Sequence, residues 1–338
     1  MKGFKYLSFL LLLPASCNND IPVLSPVEQD SDVLHVLSVG MDEAATRSIV
    51  TTDNLKTVGE KIGVYAVNSD QTEYHPLHGG SNTAIYQCDG SNWNVVAADD
   101  SKLLRLPSGS TVNVSAFYPS TLTPVYKSKN ESYVSGIHIL VEDDFAASAQ
   151  TDYLYAEPVT GINTAKPGAT FTLKHALSKL TFRVYKDATL TKATNLSALK
   201  IIDDSYKLQA GTGKTMHLSN GTLQGLSGQP AVNLTATADQ VQEIKTKSTT
   251  SATVTTATAY CLLAPAPNVE YLSFQLTTVE ADTGQEQTFL TQRTDMHSHR
   301  WTAGQHLIIN IVLKGMEAIV TGLAVYDWED YTDTNFPI

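Results

Sequence analysis

Apolar residues in this chain come in short runs rich in β-branched and aromatic side chains, broken by groups that favour turns. From Leu55 the rhythm is regular: "KIGVYAVN" (61–68), "AIYQCDGSNWNVV" (84–96), "LLRLPSGSTVNVSAFYP" (103–119), "SGIHILVE" (135–142), "DYLYAEPV" (152–159) and "ATFTLKHALSKLTFRVYKD" (169–187). Such runs suit strands that pack on at least one face. Asp89-Gly90, set between two β-rich runs, is a strong hairpin signal. The second half repeats the pattern in "ALKIID" (198–203), "TAYCLLAPAP" (258–267), "EYLSFQLTTV" (270–279), "HLIINIVLK" (306–314) and "AIVTGLAVYDW" (318–328). No stretch sustains a 3.6-residue apolar period, so helices are not expected to carry the fold. The chain of 338 residues is long enough for two cores. Gly, Pro and Thr cluster in "TGINTAKPGAT" (160–170), which places a boundary there. The expectation is an all-β fold of two β-sandwiches in tandem, residues 48–169 and 170–338.

The N-terminal part reads differently. Lys2 and Lys5 precede an apolar core, Leu7 to Leu13, which is too short for a mature membrane span and marks a secretory leader. Ala15 and Ser16 before Cys17 suggest a lipoprotein signal at residues 1–17, with Cys17 as the acylated residue. Pro14 departs from the usual leucine of that signal, and ordinary cleavage near Ala15 is the alternative. Acylation would anchor the protein to a membrane without spanning it.

Residues 18–47 form a candidate propeptide. "NNDIPVLSPVEQDSD" is polar, acidic and carries two prolines, as a tether would. "VLHVLSVGM" (33–41) is apolar on both alternating faces, which suits a strand buried on both sides. "DEAATRS" (42–48) then reads as an exposed loop open to proteolysis. No Lys or Arg occurs from residue 6 to residue 46. Arg47 is therefore the first position beyond the leader at which a protease specific for basic residues can cut, leaving Ser48 as the new N-terminus.

Charge and motifs then narrow the function. Lys plus Arg number 23 against 34 for Asp plus Glu, a net charge of −11, which argues against a nucleic-acid surface or a polybasic membrane patch. Cys88 and Cys261 are far apart in sequence and read as small buried hydrophobes rather than a disulfide. "AGTGKT" (210–215) has Leu208 where a phosphate loop needs glycine, and reads as a turn between strands. His297 with His299, and His75 with His78, form pairs without a third ligand and read as loop histidines, so no metal site is expected. His175 reads as a structural histidine near the domain junction. No catalytic motif is present, and neither an enzyme nor a cofactor is expected.

Taken in order, nine segments resemble the fimbrillins of Bacteroidales, the FimA-like and Mfa-like fimbrial subunits. They are the leader ending at Cys17, "ATRS" around Arg47, "GEKIGVYAV" (59–67), "YQCDGSNW" (86–93), "STVNVSAFYP" (110–119), "DYLYA" (152–156), "FTLKHALSKLTFRV" (171–184), "WTAGQHLIINIVL" (301–313) and "VYDW" (325–328). The resemblance implies transthyretin-like, Greek-key sandwiches and a structural pilus subunit that supports adhesion. It implies export as an outer-membrane lipoprotein through Cys17, then cutting of the Arg47-Ser48 bond by an Arg-specific surface protease. Removal of a masking strand (Val33, Leu34, Val36, Leu37, Val39) would open a groove, to be filled by a donor strand from residues 316–338 of an identical or related subunit in a cell-surface fimbrium.

Strand addition of this kind satisfies unpaired backbone groups and fills an apolar trough. On simple alternation Ile319, Thr321, Leu323 and Val325 share one face of the donor, and Val320, Ala324, Tyr326 and Trp328 the other. Burying about six apolar side chains at roughly 1.5–3 kcal/mol each gives a gross gain on the order of 10 kcal/mol. The alternative for Ile319 to Trp328 is closure of its own domain. The alternative for the whole chain is a surface lipoprotein that binds a host or glycan receptor, with Trp93 or Trp301 exposed to the ligand.

Overall fold

The computed structural model describes residues 32–42, 51–76, 79–145, 150–237, 240–247 and 256–328. β-branched and aromatic runs form strands throughout, and the one α-helix among the described residues is the single turn Thr52–Leu55. The first sheet has eight strands. Its order runs Val159–Ile162, Val112–Tyr118, Lys61–Asn68, Thr83–Cys88, Trp93–Val95, His35–Met41, Gly168–His175 and Leu154–Ala156. Leu154–Ala156 also pairs back onto Val112–Tyr118, through Phe117 opposite Tyr155 and Tyr118 opposite Leu154. Seven of the strands therefore form a closed ring. Inside it lies a core that includes Ile62, Val64, Tyr86, Leu104, Val114 and Phe171.

The Asp89-Gly90 turn joins Thr83–Cys88 to Trp93–Val95 in antiparallel pairing. Asp89 Oδ1 accepts from the backbone N–H groups of Ser91 and Asn92, at 2.9 and 2.7 Å. Gly90 takes φ +100°, a conformation that side chains with a Cβ rarely adopt.

Beyond the ring, Ser178–Lys186 lies between Ala257–Leu263, antiparallel to it, and Gln305–Lys314, parallel to it. A seven-stranded sheet centred on Thr194–Ile202 and Tyr271–Glu280 faces this group across a second core. Phe182 and Phe274 meet there edge-to-face, with ring centroids 5.4 Å apart, and Trp301 is fully buried. Two sheets stacked on one apolar layer are the sandwich arrangement expected of such strands.

Three features depart from simple reading of the sequence. Gly168–His175 carries the ring past residue 169, where the sequence places the boundary. Strands of the first half cross over: Glu131–Ile139 pairs with Leu208–His217, and Glu142–Asp144 runs parallel to Ala231–Thr235. "AGTGKT" is not a turn between strands but lies inside Leu208–His217, where the register slips between Gly211 and Lys214 and between Lys214 and Thr215. Extra residues of this kind are tolerated in a strand as bulges, and glycine accommodates them.

Candidate functional site: the leading and closing strands

His35–Met41, the leading strand, uses both edges. On one side it runs parallel to Gly168–His175, from His35 opposite Gly168 to Met41 opposite Leu173. On the other, Leu34 N–H donates to Leu104 O at 3.0 Å, Leu106 N–H donates to Asp32 O at 2.6 Å, and Val36 lies opposite Trp93. Arg105 fixes the start of the segment through Asp32, Nη1 to Oδ1 at 2.6 Å. At its end Asp42 N–H donates to Leu173 O at 3.0 Å. The buried Tyr86 hydroxyl donates to Leu34 O at 2.7 Å, and burial pushes its phenol pKa up.

From Leu34 onward the segment is buried on one face only, against the expectation of two. Val33, Leu34, Val36, Val39 and Met41 are buried, whereas Leu37 is 66 % exposed. The cause is a bulge: the register skips Leu37, with Val36 opposite Ala169 and Ser38 opposite Thr170. Leu37 turns outward across Gly168, where a Cβ would lie 2.8 Å from Leu37 Cδ1. The four buried residues that join the ring core, Leu34, Val36, Val39 and Met41, contribute a gross gain of roughly 6–12 kcal/mol at roughly 1.5–3 kcal/mol each.

Glu317–Asp327, the closing strand, is the outermost strand of its sheet and runs antiparallel to Gln305–Lys314. Its faces differ from simple alternation. The register skips Thr321, with Gly322 opposite Asn310 and Val320 opposite Ile311, so the phase flips. Ala318, Val320, Leu323 and Val325 face the second core together, while Ala324 and Tyr326 pack beside Ile308 on the other side. Ile319 is 41 % exposed. Val320, Leu323 and Val325 are only partly buried in this position.

Trp328 ends the closing strand inside a third cluster, among Phe117, Leu122, Tyr153 and Leu177. Its indole stacks on the His175 ring at 4.0 Å and 15°, and His175 Nδ1 lies 2.8 Å from Asp152 Oδ2, both side chains being buried. His175 is thus a packed structural residue at the end of the ring strand that borders the leading strand.

A fimbrillin-like family profile matches residues 46–328. The chain belongs to the fimbrillin-like family. Membership places it with fimbrial, cell-surface structural proteins. A comparison with curated proteins gives no match. Among solved structures, this fimbrillin is similar to a fimbrial protein from Bacteroides vulgatus at 13 % identity, with 88 % of this chain and 99 % of that one covered and a TM-score of 0.59. It is also similar to a candidate cell adhesion protein from Bacteroides uniformis at 17 % identity, with 88 % and 100 % covered and a TM-score of 0.54. At these identities the likeness concerns the fold.

In this fimbrillin, Cys17, Arg47 and Ser48 lie outside the described residues. Trp93 and Trp301 are core residues, 8 % and 0 % exposed, so neither offers a surface for a receptor. Cys88 and Cys261 are buried thiols in different clusters, and burial pushes the Cys261 pKa up. His297 binds Asp295, Nδ1 to Oδ1 at 2.7 Å, and His78 lies outside the described residues. Among the described residues no group of three His, Cys, Asp or Glu side chains is placed to hold a metal, and no helix is long and apolar enough to cross a membrane. Sequence reasoning missed the Tyr86–Leu34 bond, the Gly168 floor beneath Leu37 and the Trp328–His175 stack. A glycine at the start of a strand and a tryptophan just after one were visible signals, but each needs the partner strand to acquire meaning.

Proposed function

We propose that this fimbrillin is a structural fimbrial subunit. It is exported as a precursor acylated at Cys17, matured by cleavage after Arg47 and polymerised by strand exchange in support of cell adhesion. One observation carries the reading: the leading strand is an integral member of a closed ring, yet it lies at the end of the segment that cleavage after Arg47 would remove. Its loss leaves the Gly168–His175 edge without a neighbour over residues 168–173, beside a trough lined by Tyr86, Leu104, Phe171 and Leu173. An extended strand satisfies both the backbone groups and the apolar surface. The closing strand supports the role of donor, because it has a full-length neighbour on one edge only and partly exposed apolar residues. An edge strand leaves its sheet at lower cost than a central one.

The test is N-terminal sequencing of protein taken from the cell surface, together with its migration in detergent before and after boiling. Chains that begin at Ser48 and run as heat-labile ladders are expected, and Arg47→Ala abolishes both. Mature protein that retains Cys17 and stays monomeric, or ladders that persist in the Arg47→Ala variant, would refute the mechanism.

A further inference from the structure

The leading and closing strands share an uncommon spacing. Inward side chains of the leading segment stand at 34, 36, 39 and 41, and those of the closing strand at 318, 320, 323 and 325. Both sets step by two, three and two residues. In both, the long step holds one bulged residue, Leu37 in the first and Thr321 in the second. A regular strand laid in the groove would put one half of its apolar residues outward, because a slip of one residue turns every side chain to the opposite face. Only a strand with a bulge at the matching place keeps all four inward.

Resting on the strand-exchange reading above, we infer that the groove takes the closing strand of a second copy of this chain in one register, bulge upon bulge, parallel to Gly168–His175. Ala318, Val320, Leu323 and Val325 then occupy the places of Leu34, Val36, Val39 and Met41. Thr321 takes the place of Leu37 over Gly168, whose missing Cβ leaves room for a bulged side chain. Gly322 replaces Ser38 opposite Thr170, and Ala324 replaces Gly40 opposite Thr172. At these two places each strand carries a small residue, while Ile319 takes the place of His35 opposite Gly168. The direction of exchange also follows from burial. Val320, Leu323 and Val325 are half-buried at home, while the positions they enter are those of buried Val36, Val39 and Met41.

Cross-linking in assembled fimbriae tests the register. Residues directly opposite in neighbouring strands lie within reach of a disulfide, and a shift of two residues takes them out of it. The Ala324→Cys/Thr172→Cys double variant is expected to give reducible covalent ladders on mild oxidation, at least ten times more than Tyr326→Cys/Thr172→Cys. Cys88 and Cys261 are buried and do not compete. Gly40→Cys/Thr172→Cys in the uncut Arg47→Ala chain is the control, and closes within one molecule because those residues are paired there. Ladders from the shifted pair, or fimbriae that assemble with neither pair linked while the control closes, overturn the register but leave strand exchange standing. Failure of the unmodified chain to form heat-labile ladders overturns strand exchange itself, and the register with it.

Discussion

Leu34→Ala in the uncut chain isolates what the leading strand contributes. Leu34 is buried, lies in the ring core, and carries the carbonyl that accepts from Tyr86 Oη at 2.7 Å. Truncation of a buried leucine removes its transfer free energy and leaves a cavity, a loss of about 2–5 kcal/mol in well-packed cores. The backbone carbonyl remains, so the Tyr86 bond is retained and the loss reports packing alone. In the Arg47→Ala background, urea unfolding followed by circular dichroism should show a lower midpoint with an unchanged slope, the signature of lost stability at constant exposed area. Protein that begins at Ser48 lacks residue 34 and sets the floor: it should be less stable than the Leu34→Ala precursor until a donor strand binds. A loss under about 0.5 kcal/mol, the range of ordinary surface changes, would refute the reasoning. So would a Ser48 form as stable as the intact precursor, because the leading strand would then add nothing to the ring.

Two further expectations concern the closing strand and the first hairpin. Trp328→Ala removes a buried indole stacked on His175, and should cost about 3–5 kcal/mol in urea unfolding of the uncut chain, as for other buried aromatic residues; a change below about 1 kcal/mol would show that the stack does not hold the strand end. Backbone N–H bonds from Asn92 and Ser91 hold the Asp89 carboxyl down at about 2. Because the folded pKa lies below the unfolded value of about 3.9, the ionised group stabilises the fold above that value, and the contribution disappears as pH falls through about 2. The melting difference between the parent and Asp89→Asn should therefore be largest near neutral pH and shrink towards pH 2, and a constant gap would contradict the assignment.

Local chemistry written along the chain determined the β-rich class, the Asp89-Gly90 hairpin, the position of the leading strand and the chain's place in its family. Each depends on neighbours in sequence: β-branched runs favour extended backbone, and an Asp-Gly pair supplies the turn conformation. The ring, the crossing of strands between halves and the true faces of the two key strands were decided only in three dimensions. Alternation predicts which residues share a face while a strand stays regular, but carries no mark of where the phase breaks. The breaks at Leu37 and Thr321 appear only when Gly168–His175 and Gln305–Lys314 lie alongside and leave one residue of each strand without an opposite number. Trp328 and His175 are likewise ordinary letters 153 positions apart until folding brings their rings to 4.0 Å.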